Sequence, residues 1–200
     1  NDPQHKKNKE KEAKKGINRL QIEVLTLQNG TWVSEKPFPV HDKRFAVGHP
    51  ALSSDGNQLI FASDMPGGMG GTDLYKLTWD ETNGMWSLPV NLGPVVNTSE
   101  NELFPYIDAE SQLYFASNGH LGLGGLDIFC VKPNGNSGWG RVQNLGYPLN
   151  SEADDFGLIL QPDGNEGLLS SNRLSKAGDD NIYGFKRFWP RFECAPQLKN

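Results

Sequence analysis

The chain has 200 residues, a formal net charge of −5, 36% hydrophobic residues and two cysteines. No stretch approaches the roughly 20 apolar residues of a membrane-spanning helix, so direct membrane insertion is not expected. Two cysteines are too few to staple a fold of this size, and the acidic balance argues against a nucleic-acid scaffold.

The first 19 residues differ in charge from the rest of the chain. They carry seven Lys or Arg against three Asp or Glu, whereas the remainder is acidic. The basic run KKNKEKEAKK at 6–15 could be a nucleic-acid or membrane tail, but acidic residues interrupt it and no aromatic residue accompanies it. We therefore predict that residues 1–19 form a mobile, solvated loop and that no nucleic acid is a partner.

The first predicted strand pair lies at 20–33. Residues 20–27 alternate apolar and polar, which predicts a half-buried strand. Asn29-Gly30 predicts a two-residue hairpin turn, and residues 31–33 begin the return strand. The pair has the pattern of the second half of the repeat that follows, so residues 20–47 are predicted to be a partial repeat.

A repeated unit begins at residue 48. Strands at 50–53 and 58–63 flank the turn SDGN, a glycine-rich loop follows at 67–71, and a further strand opens at Asp73. The same pattern returns twice, at a constant interval along the chain. The matching positions are Phe61, Phe115 and Leu169 in the second strand, and Asp73, Asp127 and Asn181 at the start of the third.

Each full repeat supplies four short strands. They are predicted at 50–53, 105–108 and 157–161 for the first position, 58–63, 112–117 and 166–171 for the second, 73–78, 127–132 and 181–186 for the third, and near Trp86 and Trp139 for the fourth. Four antiparallel strands in a unit of about 50 residues describe a β-propeller blade. A sandwich is the alternative, but it does not require hairpin, glycine loop and tryptophan to recur in phase.

The sequence therefore predicts an all-β protein, a β-propeller of four-stranded antiparallel blades. Its parts are a partial blade at 20–47, repeats at 48–102, 103–155 and 156–187, and a linker or tail at 188–200. The third repeat lacks a fourth strand, and no helix is expected. Because a propeller needs at least four blades to close, we expect a fragment of a larger propeller, or one that another chain completes.

Two sets of motifs carry a family resemblance. The segment SDGNQLIFASD at 54–64, and PDG with SSNR at 162–173, resemble the TolB-type, WD-like propeller repeat; the middle repeat departs from it with DAES at 108–111. The longer phrases GHPALSSDG, SDMPGGMGGTDLYK, VNLGPVVNT and FASNGHLGLGGLDIF are more specific. They resemble the propeller of Bacteroidetes OmpA-family envelope lipoproteins, including the PorE-like component of the type IX secretion system.

That resemblance covers residues 17–187 and implies a location and partners. It implies a periplasmic, outer-membrane-associated protein that binds other envelope proteins. In that family peptidoglycan is bound through a separate OmpA domain, which this sequence does not contain. The resemblance implies no cofactor.

One face of the propeller is the predicted recognition surface. Strands alternate in direction, so the loops 66–72, 119–125 and 174–179 open beside the connectors 97–102 and 150–155, and loops on a rigid scaffold commonly carry binding. The glycines could allow positive φ and present N–H groups to a ligand, or could only turn a tight corner. The residues predicted for binding are Met65, Gly67, Gly68, Met69, Gly70, Gly71, His120, Leu121, Gly122, Leu123, Gly124 and Gly125.

The recurrent polar residues have a structural interpretation. Asp73, Asp127 and Asn181 are predicted to lock the preceding loop by accepting hydrogen bonds from its N–H groups. The acidic pairs at 154–155 and 179–180 lack calcium-loop spacing, and the histidines lack a zinc motif. No metal site is therefore assigned. His49 takes the place that Phe104 takes in the next blade, which favours packing.

The remaining aromatic and sulfur residues have smaller roles. Trp32, Trp86 and Trp139 recur at nearly the same interval as the rest of the pattern, and each is predicted to pack on its own third strand or the neighbouring blade. Cys130 is expected to behave as a small apolar residue in a strand. Cys194 could pair with a cysteine beyond this chain, which would suit an oxidising compartment. The number of cysteines does not decide whether either of them forms a disulfide.

An enzyme is the alternative to a scaffold. Propellers include glycosidases, whose chemistry needs two carboxylates at a defined separation, and the sequence shows no G-x-S-x-G nucleophile motif. We predict a non-catalytic scaffold for protein–protein interaction, with no catalytic residue and no cofactor. A glycoside hydrolase or lyase, or a glycan-binding module, is the runner-up.

Overall fold

All regular secondary structure in the described residues is β. The computed structural model describes residues 19–34, 38–135, 138–175 and 178–186, and none of these is helical. No helix in this part of the chain is long and apolar enough to span a membrane. The predicted tail at 188–200 and the predicted basic loop, apart from residue 19, lie outside the described residues.

Sixteen strands follow one another along the described ranges, several of them only two residues long. Their bounds are β1 Leu25–Gln28, β2 Thr31–Ser34, β3 Val47–Leu52, β4 Gln58–Ser63, β5 Asp73–Asp80, β6 Met85–Trp86, β7 Val90–Asn91, β8 Glu102–Ile107, β9 Leu113–Ser117, β10 Asp127–Val131, β11 Pro133–Asn134, β12 Gly138–Trp139, β13 Gln143–Asn144, β14 Asp155–Leu160, β15 Glu166–Ser171 and β16 Asn181–Lys186.

Three antiparallel sheets form the blades. The first blade is β3–β4–β5, with the short β6 and β7 both pairing with β5; the second is β8–β9–β10–β13; the third is β14–β15–β16. Two-stranded ribbons, β1–β2 and β11–β12, accompany them. The predicted blade pattern is confirmed, with a fourth strand reduced to two-residue pieces in the first two blades.

The first strand of each blade is longer than predicted. β3, β8 and β14 begin two or three residues before the predicted starts at 50, 105 and 157. Each pairs with its neighbour on both sides of a register shift. At the shift His49, Phe104 and Gly157 have φ of 50°, 50° and 63°. The bulge breaks the period of two on which strand prediction depends.

Equivalent residues of the blades occupy equivalent positions, as predicted. Phe61, Phe115 and Leu169 are 0%, 1% and 2% exposed. Across the sheet they face Tyr75, Phe129 and Tyr183 respectively.

The blades stack face to face through these rows. Phe115 and Phe129 of the second blade share a core with Ile60 and Leu74 of the first. Leu169 of the third blade shares a core with Ile128 and other residues of the second. The burial of apolar area between adjacent sheets therefore holds neighbouring blades together.

The segment before β3 covers the other face of the first blade. Phe38 contacts Phe61 edge-on at a centroid distance of 5.9 Å. Phe38 and Val40 belong to the buried cluster around Phe61, and Ile22 and Phe45 pack against it. The sequence pattern did not predict this cover, because its apolar residues are isolated and non-periodic.

The tryptophans do not all behave alike. Trp86 packs edge-on against Trp79 of β5 at 5.4 Å, and Trp139 packs against the core between the first two blades. Trp32, in the β1–β2 hairpin, is 65% exposed, so its predicted packing is wrong. The hairpin turn at Asn29-Gly30 is confirmed, with φ of 49° and 80°.

Cys130 is more than a small apolar residue. It is 1% exposed within the core between the second and third blades, and it is disulfide-bonded. The expectation for Cys130 was therefore incomplete, because sequence spacing carries no information on which sulfur atoms meet. Cys194 lies outside the described residues.

Candidate functional site

The loop face is the set of loops 65–72, 119–125 and the described residues 172–175 and 178–180, together with the connectors 97–102 and 150–155. The structure brings these segments together as predicted. Gly71 donates its N–H to the carbonyl of Glu100 at 2.7 Å, and Gly125 donates to Ala153 at 3.3 Å. Each connector therefore lies directly against the loop of the blade before it.

Two of the three predicted locks are present. The buried carboxylate of Asp73 accepts hydrogen bonds from the backbone N–H of Met69 at 2.6 Å and of Gly70 at 3.1 Å. That of Asp127 accepts from Leu123 at 2.7 Å and Gly124 at 3.0 Å. A buried carboxylate here fixes the loop by accepting two of its N–H groups.

The third lock is different, and the prediction for Asn181 is wrong. Its side chain is exposed and donates to the carbonyl of Asp179 at 3.4 Å. An exposed amide gains little from an internal acceptor because water competes for the same bonds. The loop of the third blade is instead held by Arg173.

Arg173 crosses from the third blade to the second connector. It forms an ion pair with the fully buried Asp155 at 2.5 Å and donates to the carbonyls of Pro148 and Leu149. Its guanidinium also lies 5.3 Å from the ring centroid of Tyr183. Arg supplies several planar donors, which allows one side chain to bind all of these groups.

The glycines are required for close approach and not for their φ. Among the eight glycines of loops 65–72 and 119–125 only Gly67 has positive φ, at 93°. A Cβ on Gly70 would lie 2.5 Å from the carbonyl oxygen of Glu100, and one on Gly124 would collide with the carbonyl of Ala153.

The N–H groups of those glycines are already bonded within the protein. Gly70 and Gly124 donate to Asp73 and Asp127, and Gly71 and Gly125 donate to connector carbonyls. Of the two interpretations of the glycines, the tight corner is therefore the one that the structure supports. The loops do not present these groups to a ligand.

Buried asparagines in the connectors were not assigned a role from the sequence. The amide of Asn97 accepts from the N–H of Leu74 at 2.9 Å and donates to its carbonyl at 3.0 Å. Asn150 makes the same pair with Ile128, both at 2.8 Å. Their recurrence in phase with the repeat, each followed by Thr or Ser, was the available signal.

Two buried carboxylates, at the ends of the connectors, accept hydrogen bonds from residues near the start of the same connectors. Glu102 accepts from the N–H and hydroxyl of Thr98, at 2.8 and 2.7 Å, and from the hydroxyl of Ser117 at 2.7 Å. Asp155 accepts in the same way from Ser151, at 2.6 and 2.8 Å. Both acids therefore have structural partners.

The side chains predicted for binding divide into two groups. Leu121, Leu123 and Met69 are 95%, 53% and 46% exposed. Met65 packs against the core of the first blade. His120 is half-buried, with its Nε2 2.8 Å from the carbonyl of Val96 and its ring against Phe115 and Phe129. Only the first group is available to a partner.

A cleft of about 800 Å³ opens on the loop face between the second and third blades. The residues that line it are Leu123, Tyr147, Ser151, Glu152, Ala153, Asn172, Arg173, Ser175 and Gly178. Tyr147 is 84% exposed and Leu174, on the neighbouring loop, is 79% exposed. Neither residue was named for binding, because neither side chain recurs in the repeat, although the loop that begins at Leu174 was predicted to lie on this face.

A second cavity, of about 290 Å³, lies among the first strands of the three blades. His49 stacks on Phe104 with a centroid distance of 4.1 Å, and Phe104 contacts Phe156 at 4.7 Å. Burial lowers the pKa of the His49 imidazole from its usual value. The predicted packing role of His49 is confirmed.

Comparison with known proteins supports the fold. No family model and no curated protein matches the sequence. The structure is similar to the crystal structure of TolB from Acinetobacter baumannii, with a TM-score of 0.52 and 17% identity over 83% of this chain and 35% of that one. It also matches a protein described as a putative TolB from Agrobacterium tumefaciens, with a TM-score of 0.48 and 14% identity over 82% of this chain and 56% of that one.

The first of these similarities shows the architecture alone. The chain consists of blades of a TolB-like β-propeller and spans about a third of the length of the Acinetobacter protein. At this level of identity, fold does not determine function, which has to be argued from the site.

Proposed function

We propose that this chain is a non-catalytic scaffold that holds other proteins through its loop face. The proposed setting is the periplasm, in an assembly associated with the outer membrane and the cell wall, such as the type IX secretion system. The envelope location is supported by the long phrases that resemble OmpA-family lipoproteins. A disulfide at Cys130 is in keeping with an oxidising compartment.

One contrast on the loop face carries the proposal. Most buried polar groups of the loops are bonded within the protein, through Asp73, Glu102, Asp155 and one oxygen of Asp127, whose Oδ1 has no hydrogen-bond partner in the described part of the chain. Large apolar side chains on the same face point into solvent. They are Met69, Leu121, Leu123, Tyr147 and Leu174. Exposed apolar groups on a rigid base are typical of protein-binding surfaces.

The buried carboxylates of the loop face are engaged in structural contacts, so they are not candidates for hydrolysis of a glycan or peptide. A glycosidase needs two carboxylates that can reach the substrate. Asp73 and Asp127 bind their own loops, and Asp155 is paired with Arg173. Cell-wall binding is assigned to a separate OmpA domain, as in the family that the sequence resembles.

The test is a double substitution on the loop face, Met69→Asp with Leu123→Asp. The matched control is Met85→Asp with Leu88→Asp, because these side chains are 59% and 85% exposed and lie away from the loop face, around β6. We expect the amount of envelope protein that co-purifies with the loop-face variant to be at least tenfold lower than with the parent. Both variants should have the same melting temperature as the parent.

Two results would contradict the proposal. One is a loop-face variant that keeps every partner of the parent protein. The other is turnover of a glycan or peptide by the purified protein that a single carboxylate substitution abolishes.

A further inference from the structure

The cleft beside Leu123 is large enough to receive a short segment of a partner protein. Leu123 and Tyr147 are the large apolar side chains that line the cleft, and Asn172 and Ser175 also line it. A volume of about 800 Å³ is within the range of about 300–1,000 Å³ that is usual for ligand pockets. An apolar side chain placed against Leu123 and Tyr147 would remove exposed hydrocarbon from water on both partners.

The charge around this cleft is predominantly negative. The segments of the chain that border the cleft, 119–125, 150–155 and 172–180, contain five Asp or Glu against two basic residues, Arg173 and Lys176. Lys176 lies outside the described residues. Three of these acids, Glu152, Asp179 and Asp180, are exposed. Glu152 lines the cleft itself, and the two aspartates follow Gly178 at its rim.

The positive charge of Arg173 does not offset these acids at the surface. Its Nη2 is bonded to Asp155 and to the carbonyl of Leu149, its Nη1 to Pro148, and its Nε to Ser171. Its side chain is only 19% exposed. Because these hydrogen bonds occupy the guanidinium, Arg173 has a structural role. The electrostatic potential at the mouth of the cleft is set by the exposed carboxylates.

We propose that the cleft binds an extended segment of a partner protein in which an apolar residue is flanked by lysine or arginine. The apolar side chain occupies the space beside Leu123 and Tyr147, and the basic residues face Glu152 and the carboxylates after Gly178. This proposal rests on the proposed scaffold function and specifies the chemistry of its partner. Complementary charge gives such a contact its specificity and its rate of association.

The first experiment is selection from a random decapeptide library with the purified protein as bait. The expected result is enrichment of sequences with leucine, phenylalanine or tryptophan next to lysine or arginine. Recovery of acidic sequences, or of no sequence above the background of a bait-free selection, would overturn the proposal. The co-purification test with Met69 and Leu123 would be unaffected, so failure here is distinguishable from failure of the scaffold function.

The second experiment measures the affinity of one selected peptide, labelled with a dye, by fluorescence anisotropy. We expect Leu123→Asp to weaken binding more than tenfold and Glu152→Gln to weaken it three- to tenfold. Glu81→Gln is the matched control, because Glu81 is exposed in the turn between β5 and β6, away from the loop face. It should leave affinity unchanged. Raising the salt concentration should weaken peptide binding by the parent and remove the difference in affinity between the parent and Glu152→Gln.

Equal affinities for Glu152→Gln and the parent at low salt would overturn the charge argument. A soluble peptidoglycan fragment is the competing ligand, because exposed Tyr147 with Asn172 and Ser175 nearby also suits a sugar. Displacement of the peptide by that fragment at comparable concentration would overturn the proposal in favour of a glycan site. Absence of displacement supports it.

Discussion

The loops of the first two blades and the loop of the third occupy the same place in the repeat but are held by different groups. Asp73 and Asp127 bind the N–H groups of their own loops. In the third blade Arg173 binds outward, to the connector that leads in from the second blade. The first arrangement fixes a loop within one blade, and the second joins two blades.

The difference shows what the architecture requires. The carboxylates of Asp73 and Asp127 accept hydrogen bonds from N–H groups of their loops, whereas the guanidinium of Arg173 donates to carbonyl groups of Pro148 and Leu149. The arginine also neutralises Asp155, which is 0% exposed. Glu102, its counterpart in the second blade, is satisfied by hydroxyl and N–H donors. The two arrangements should therefore differ in their sensitivity to substitution.

The largest effect is expected at Arg173. Substitution Arg173→Ala leaves Asp155 buried without its counter-ion, so we expect a loss of about 3–5 kcal/mol in the free energy of unfolding, measured by urea denaturation. The double variant Arg173→Ala with Asp155→Ala should lose less than the sum of the two single variants. A loss below about 1 kcal/mol for Arg173→Ala would show that the ion pair does not hold the third loop.

A smaller effect distinguishes the carboxylate locks from their third counterpart. Substitution Asp127→Ala removes the acceptor for the N–H groups of Leu123 and Gly124, at an expected cost of about 1–3 kcal/mol. Asn181→Ala should change stability by less than about 0.5 kcal/mol, because that side chain is exposed. Equal losses for the two variants, in urea denaturation, would contradict the distinction.

Sequence reasoning predicted the blades because their main determinants are local. The constant interval of the repeat, the SDGN turn and the buried residues of β4 and β15 can all be recognised within short segments. The locks at Asp73 and Asp127 were predictable for the same reason, since each acid lies close in sequence to the N–H groups that it binds.

Features that depend on contacts between blades were not predictable. Arg173 donates to the carbonyls of Pro148 and Leu149, in the connection from the second blade, and recurrence suggested Asn181 in the place of Arg173. Positive φ and a tight corner were both open for the glycines, but local sequence did not indicate that their close neighbours are carbonyls of a connector further along the chain. Trp32 recurs in phase, yet it remains largely exposed. Periodicity shows which position of the repeat a residue occupies, but the contacts of its side chain depend on how the neighbouring strands and blades pack.

The smallest expected effect concerns the first strands, where the blades meet. Burial lowers the pKa of His49 in the folded protein, and its Nδ1 accepts a hydrogen bond from the N–H of Phe104 at 3.4 Å. The unfolded chain therefore binds a proton more readily, and stability should fall as the pH drops below about 6.5. His49→Phe should flatten that part of the stability profile, measured by urea denaturation at a series of pH values. An unchanged slope would contradict the assignment.

The central claim, that the loop face holds protein partners, can be tested in cells by site-specific photo-crosslinking. A benzophenone amino acid replaces Leu121 on the loop face or, as the control, Leu88 away from it; both side chains are largely exposed. We predict a discrete crosslink from position 121 to an envelope protein, and none from position 88. Equal crosslinking from both positions, or crosslinking from position 88 alone, would contradict the account.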